Sequence, residues 1–229
     1  MILTPIPEHE LPAALDRFAA RLDESAARYA FARIRATAAE RAVGAVAEAH
    51  RQQALAVACA CGMAVHPAGT YCRFNWDGAA LDGDTEAYVL LHEAAHFMLA
   101  SPERRRLVDF GLGPGPDTRD RAAAEAAAVL PLSEREADEA AASLLGILWE
   151  AALGQPALAS FLDQNWLEGL RRSAAPHFAA ALRELSKRGV AIPARAGIQV
   201  SAREIAAGLG PGRRRDHDRA AQPATRRIR

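Results

Sequence analysis

Apolar residues recur at helical spacing over most of the chain. Leu11, Leu15, Phe18, Ala19 and Leu22 share one face of a segment at 8–22, with acidic residues near its start, which predicts an amphipathic helix. A second long helical pattern covers 24–62, with Gly44 as its weak point. The pattern changes over 63–77. Pro67 and Gly69 mark a turn, and Tyr71, Arg73, Phe74 and Trp76 then alternate in β fashion, so one or two short strands are expected. Gly78 to Asp84 reads as a loop. The stretch 85–100, "TEAYVLLHEAAHFMLA", predicts a helix with a strong apolar face, capped by Asp84 or Thr85 and stopped at Ser101-Pro102. Residues 103–118 are charged and then rich in Gly and Pro, a turn-rich loop of a length that is usually functional or disordered. Helices follow at 119–130 and 133–152, the latter with Ser133 and Glu136 as a capping box. Two more are expected near 156–172 and 176–188, separated by Pro176. An extended "VAIPARAGIQV" and a last helix at 201–208 precede a basic tail expected to be flexible.

These elements give a mainly α (α+β) fold with a small β element. They divide the chain into N-terminal helices at 1–62, a central domain at 63–209, and the tail at 210–229. Composition supports the helical reading. Of 229 residues 55 are Ala, the strongest helix former, although a GC-rich coding sequence explains an Ala- and Arg-rich chain equally well. The formal net charge is +0, so there is no global field for nucleic acid or an anionic membrane. No apolar run reaches the roughly 20 residues of a membrane span, and the N-terminus lacks the pattern of a secretory signal. Cys59, Cys61 and Cys72 have neither disulfide-framework nor zinc-knuckle spacing and read as small buried hydrophobes. A soluble, cytoplasmic protein is expected.

The chemistry concentrates at His92-Glu93-Ala94-Ala95-His96, an HExxH. Residues four apart on a helix share a face, about 6 Å apart along the axis, so both imidazoles can grip one metal ion. The intervening Glu93 can then reach a metal-bound water or a substrate. A full site needs a third ligand. The extended HExxHxxGxxH form fails, because Leu99 and Pro102 occupy its Gly and third-His positions. "SEREADEAAASLL" supplies acids on the next helix, and Glu134 and Asp138 lie on one face. This pair resembles the ExxxD element of gluzincin metallopeptidases, which implies Glu134 as third ligand and Asp138 as the group steadying a ligand histidine. Glu136, Asp138, His66 and His177 stay open as alternatives for the third ligand. A first-turn acid is also favoured by the helix dipole alone.

A second resemblance runs through "LLHEAAHFMLASPERRRLVDFGLGPGPDTRD". With His92, Glu93, His96, Arg104 to Arg106, Leu107 to Gly111 and Pro116-Asp117, it is similar to the bacterial elongation factor P hydroxylases. "DQNWLEG", Asp163 to Gly169, resembles that family's "DNLEG" stretch. The chain departs from the family after "DFG", where Leu112-Gly113-Pro114-Gly115 replaces aromatics, and "PDGR" has become "PDTR". The resemblance implies an oxygen-using hydroxylase acting on a modified lysine of a translation factor. It favours Fe2+, with Zn2+ as the alternative, held by His92, His96 and Glu134 or another acid.

Glu93 would then ligate the metal or handle a proton, and Asp109 would orient a histidine or bind a cationic amine. Arg104 to Arg106 read as a contact for RNA or an acidic protein, or as a solvated charge run. Two further readings stand beside the hydroxylase. One is a gluzincin-type zinc hydrolase with Glu93 as general base. The other is a non-catalytic metal-binding interaction protein.

Overall fold

A computed structural model of the chain describes residues 6–167 and 174–190. Within them lie eight α-helices and one two-stranded sheet, so the fold is mainly α with a small β element. In chain order the helices are α1 (Leu11–Ala20), α2 (Ser25–Arg35), α3 (Gly44–Ala60), α4 (Ala87–Leu99), α5 (Arg121–Ala126), α6 (Leu132–Leu153), α7 (Ala157–Asp163) and α8 (Ala174–Lys187). Strands β1 (Ala64–Val65) and β2 (Ala80–Leu81) pair in parallel, in the register Ala64 to Ala80 and Val65 to Leu81.

Helix α6 is the centre of the molecule. From Ala141 to Glu150 every residue is buried, as expected of a helix packed on all sides. Helix α4 lies against it. Around the other side, Phe18 of α1 packs on Phe31 of α2 with ring centres 4.6 Å apart, and both meet Phe161 of α7 and Phe178 of α8. The N-terminal helices therefore share one core with the rest, and no core boundary falls at 62/63.

Several local expectations are corrected. The pattern at 24–62 is two helices, broken at 36–43, and Gly44 opens the second rather than interrupting one. The second strand forms at 80–81, in the stretch read as loop. The alternating 71–76 segment contributes only an isolated bridge from Trp76 to Leu81. Helix α4 starts at Ala87, with neither Asp84 nor Thr85 capping it. Helix α6 follows Pro131 with no side-chain cap, so the Ser133/Glu136 box does not form. Asp120 does cap α5, accepting from Ala123 N at 3.1 Å. Pro176 falls in the first turn of α8, where its missing N–H has no helical partner to lose. Cys72 is buried as expected, but Cys61 is half-buried and Cys59 exposed. The segments read at 191–229, including the last helix and the tail, lie outside the described residues, as do Glu168 and Gly169.

Candidate metal centre

Helix α4 sets His92 and His96 one turn apart, and their Nε2 atoms approach to 3.0 Å. Helix α6 brings a carboxylate to both. Glu139 Oε1 lies 3.1 Å from His92 Nε2, and Glu139 Oε2 lies 3.1 Å from His96 Nε2. The three ligand atoms fall within 4.8 Å of one another. Two imidazole nitrogens and one carboxylate fit the donor set of zinc or non-haem iron, with open positions left for a substrate.

The carboxylate reaches this place because of Gly146. A Cβ built there would sit 3.3 Å from the N and Cα of His92, so the absent side chain lets the two helices touch at His92. Glu139 is seven residues earlier, two turns along the same face of α6.

Beneath the histidines lies a charged network. Asp138 Oδ2 stands 3.6 Å from His96 Nδ1, an ion-pair distance rather than a hydrogen bond. Asp138 also accepts from Arg104 and Arg188, each at 2.9 Å. Burial would lower the His96 pKa, but Glu139 and Asp138 outweigh it and push it up to about 10. Burial likewise opposes ionisation of Asp138. The imidazoles hold the Glu139 carboxyl well below the usual range, and His96 with the two arginines does the same for Asp138.

The 104–111 run wraps onto this network. Arg104 Nε donates to Phe110 O at 3.0 Å. The Phe110 ring stacks between His96 and Trp76, with ring centres 5.6 Å away on each side. Trp76 anchors the run in turn. Its Nε1 donates to Arg105 O at 2.8 Å, and its carbonyl accepts from Asp109 N at 2.9 Å. Gly78 permits this closeness, since a Cβ there would meet Arg106 O at 2.6 Å. Asp109 and Phe110 both adopt left-handed backbone, with φ of 42° and 54°, a conformation that costs non-glycine residues on the order of 1–3 kcal/mol. Of the three arginines, Arg104 and Arg105 turn inward, Arg105 lying 4.5 Å over the Phe97 ring, and only Arg106 is exposed. The run is therefore not a solvated charge stripe.

A cleft of about 620 Å³ opens over the triad. Glu93 and Asp109 line it, buried to 7% and 8% exposure. Glu93 Oε1 accepts from Asn75 Nδ2 at 3.1 Å, and Asp109 Oδ2 accepts from Thr118 Oγ1 at 2.7 Å. Burial raises the pKa of both carboxyls. The loop from Leu112 to Thr118 forms another wall.

The structure thus brings together His92, His96, Glu93, Asp109 and Asp138, but not Glu134. Glu134 is exposed in the first turn of α6 and is no part of the triad; the carboxylate there is Glu139. Glu136 is exposed at the cleft wall. His66 pairs with Asp77 at 2.8 Å, and His177 stacks on Trp166 at 5.1 Å; neither joins the triad. Glu139, Asn75 and Arg188 were missed in the sequence. For Glu139 nothing in the sequence set it apart from the other acids of α6. Asn75 and Arg188 are distant in sequence and carried no signal.

Compared with known proteins, the chain matches no protein-family model, no curated protein and no solved structure. Among the described residues no helix is long and apolar enough to cross a membrane.

Proposed function

We propose that this chain is a metal-dependent hydroxylase of the two-histidine, one-carboxylate kind, using iron and oxygen on a protein side chain. One observation carries the reading. The residues behind the resemblance to elongation factor P hydroxylases are not scattered over the surface. Arg104, Asp109 and Phe110 converge on His96 and Asp138 or line the cleft beside them. His92, His96 and Glu139 would hold the metal, which when bound supplies the redox chemistry with oxygen.

The remaining roles belong to the chain itself. Asp138 and the stacked Phe110 hold the His96 ring in place. Glu93, fixed by Asn75 and raised in pKa by burial, holds a proton at the cleft wall or releases it to a substrate group. Asp109, fixed by Thr118, offers a carboxylate to a cationic substrate amine. The resemblance extends the substrate to a modified lysyl side chain of a translation factor. The altered loop at Leu112 to Gly115 forms part of the cleft wall, where it would change which side chain fits.

A second reading, a zinc hydrolase, is favoured by the same Glu93. A buried carboxylate of raised pKa beside the first histidine suits a general base acting on water. The test separates the two. Protein purified without oxygen is analysed for metal, then assayed for oxygen uptake with lysine-bearing protein substrates. Bound iron with uptake lost in His92→Ala supports the hydroxylase. Bound zinc with peptide cleavage lost in Glu93→Gln overturns it in favour of the hydrolase.

A further inference from the structure

Gln164 lines the metal cleft, and the reaction proposed above makes no use of it. It directly follows α7. Asn165 beside it takes left-handed backbone, with φ of 58°, which Asn adopts more readily than most residues. The chain turns there, and Gln164 and Trp166 both reach Ser143 of α6. Ser143 lies one helical turn beyond Glu139 on the same face and is buried to 7% exposure.

The direction of hydrogen bonding in this group is fixed. The Trp166 indole can only donate, and its Nε1 lies 2.7 Å from Ser143 Oγ, which therefore accepts. Ser143 Oγ lies 2.5 Å from Gln164 Oε1. That distance belongs to an O–H···O bond and is shorter than N–H···O bonds run. The Ser143 proton is thus spent on Gln164 Oε1. The amide is held with its donor end, Nε2, turned away from Ser143. Among the described residues Nε2 meets no acceptor, and it is not among the buried atoms sealed from solvent. Other donors of the cleft wall are engaged within the protein. Asn75 Nδ2 donates to Glu93 and Thr118 Oγ1 to Asp109. Arg121 Nη1 donates to Gly115 O at 2.8 Å, and Arg135 Nε to Leu130 O at 2.7 Å.

We propose that Gln164 is a substrate-binding residue, its Nε2 donating to a backbone carbonyl of the peptide whose side chain enters the metal cleft. The inference rests on the reading of the metal centre as acting on a protein side chain. A peptide carries a carbonyl acceptor at every residue, and one drawn into a cleft needs a donor in place of water. Ser143 and Trp166 already hold the Gln164 amide, so little side-chain freedom is lost when it binds.

Isothermal titration calorimetry on the zinc-loaded full chain tests this with two hydroxamates, which grip a metal ion through their oxygens. One is a capped tripeptide, acetyl-Ala-X-Ala-amide, with X the ω-hydroxamate of 2-aminosuberic acid. The other is hexanohydroxamate, the same side chain without a backbone. The tripeptide is expected to bind the wild type about five- to tenfold more tightly, the worth of one good hydrogen bond. Gln164→Met and Gln164→Glu should abolish that advantage and leave hexanohydroxamate binding at the wild-type level. The Glu variant keeps an acceptor for Ser143 and loses the N–H donors. The proposal is overturned if both probes bind the wild type alike, or if both variants keep the tripeptide's advantage. It is also overturned if both variants weaken the two probes by the same factor, because Gln164 would then only support the metal site. A zinc-loaded wild type that binds neither probe would sink the metal-centre reading itself, and the proposal with it.

Discussion

Gly146 of α6 rests directly on the backbone of His92 in α4, with a Cβ position only 3.3 Å from the His92 N and Cα. This one contact sets the distance between the two helices that carry His92, His96 and Glu139, the group that could hold a metal ion. Enlarging it should disturb both packing and metal binding. Gly146→Val is expected to lower stability by about 1–3 kcal/mol, as overpacked cores do. It should also weaken metal binding by moving Glu139 away from His92 and His96. Thermal unfolding and metal titration of the purified variant measure the two effects. A variant with wild-type stability and affinity would show that the helices are not set by this contact.

The identity of the third ligand gives a sharp contrast. Glu139→Ala should reduce metal affinity at least a hundredfold, whereas Glu134→Ala should leave it unchanged, because Glu134 lies outside the triad. Equilibrium dialysis against zinc and against iron under nitrogen compares them. Equal losses, or a loss only in Glu134→Ala, would remove Glu139 from the site.

Asp138 joins His96 to Arg104 and Arg188. Removing its carboxylate leaves two arginines without their shared partner. Asp138→Ala should destabilise the fold by about 3 kcal/mol, within the range for breaking buried charge pairs. Its effect on metal affinity should be smaller than that of Glu139→Ala, about 10–100-fold. Chemical denaturation and metal titration, run side by side, separate the two. A variant as stable as the wild type would mean the network carries no net stability.

Phe110 fills the space between Trp76 and His96 and has no exposure to solvent. Truncation to Ala should cost about 3–5 kcal/mol, the usual range for a buried aromatic. Conservative replacement by Tyr introduces a hydroxyl without a ready partner and should cost less. The difference between the two midpoints in urea checks whether the stack itself, rather than mere volume, holds the run in place.

Glu150 makes a prediction in pH. Burial pushes its carboxyl up to about 7, against 4.5 for the free group. The folded state therefore holds a proton that the unfolded state has released between those values. Stability from this group is fully present below pH 4.5 and falls as pH rises toward 7. At 1.36 kcal/mol per pH unit the loss is roughly 3 kcal/mol across that window. Glu150→Gln should flatten that part of the stability profile. Urea midpoints of both proteins at pH 4.5, 5.5, 6.5 and 7.5 provide the comparison; parallel profiles would refute a raised Glu150 pKa.

The HExxH was legible from the chain because its logic is local. Four residues make a helical turn, so His92 and His96 share a face wherever α4 packs. The helical character of the chain was legible for a similar reason, since periodic apolar positions need only neighbours in sequence. Strand positions failed at 80–81 because two-residue strands carry too little pattern, and their pairing with 64–65 depends on where the chain folds back. The cap at α4 failed because Asp84 and Thr85 bond to Gly69 and Glu86 instead, and the cap at α6 failed because the helix starts at Leu132, which puts Ser133 inside it.

What the sequence determined by itself was a mainly helical protein with a pair of metal-ready histidines on one helix. Only the tertiary structure decided which acid completes the set. Glu134 and Glu139 both lie on α6, and the resemblance of Glu134 and Asp138 to an ExxxD pair gave the preference to Glu134. The choice was made by the rotation of α6 about its own axis, fixed where Gly146 meets His92. Tertiary structure also brought the strained Asp109-Phe110 turn against His96 and Arg188 onto Asp138. A ligand set drawn from two helices depends on how their faces meet, and that is a property of packing.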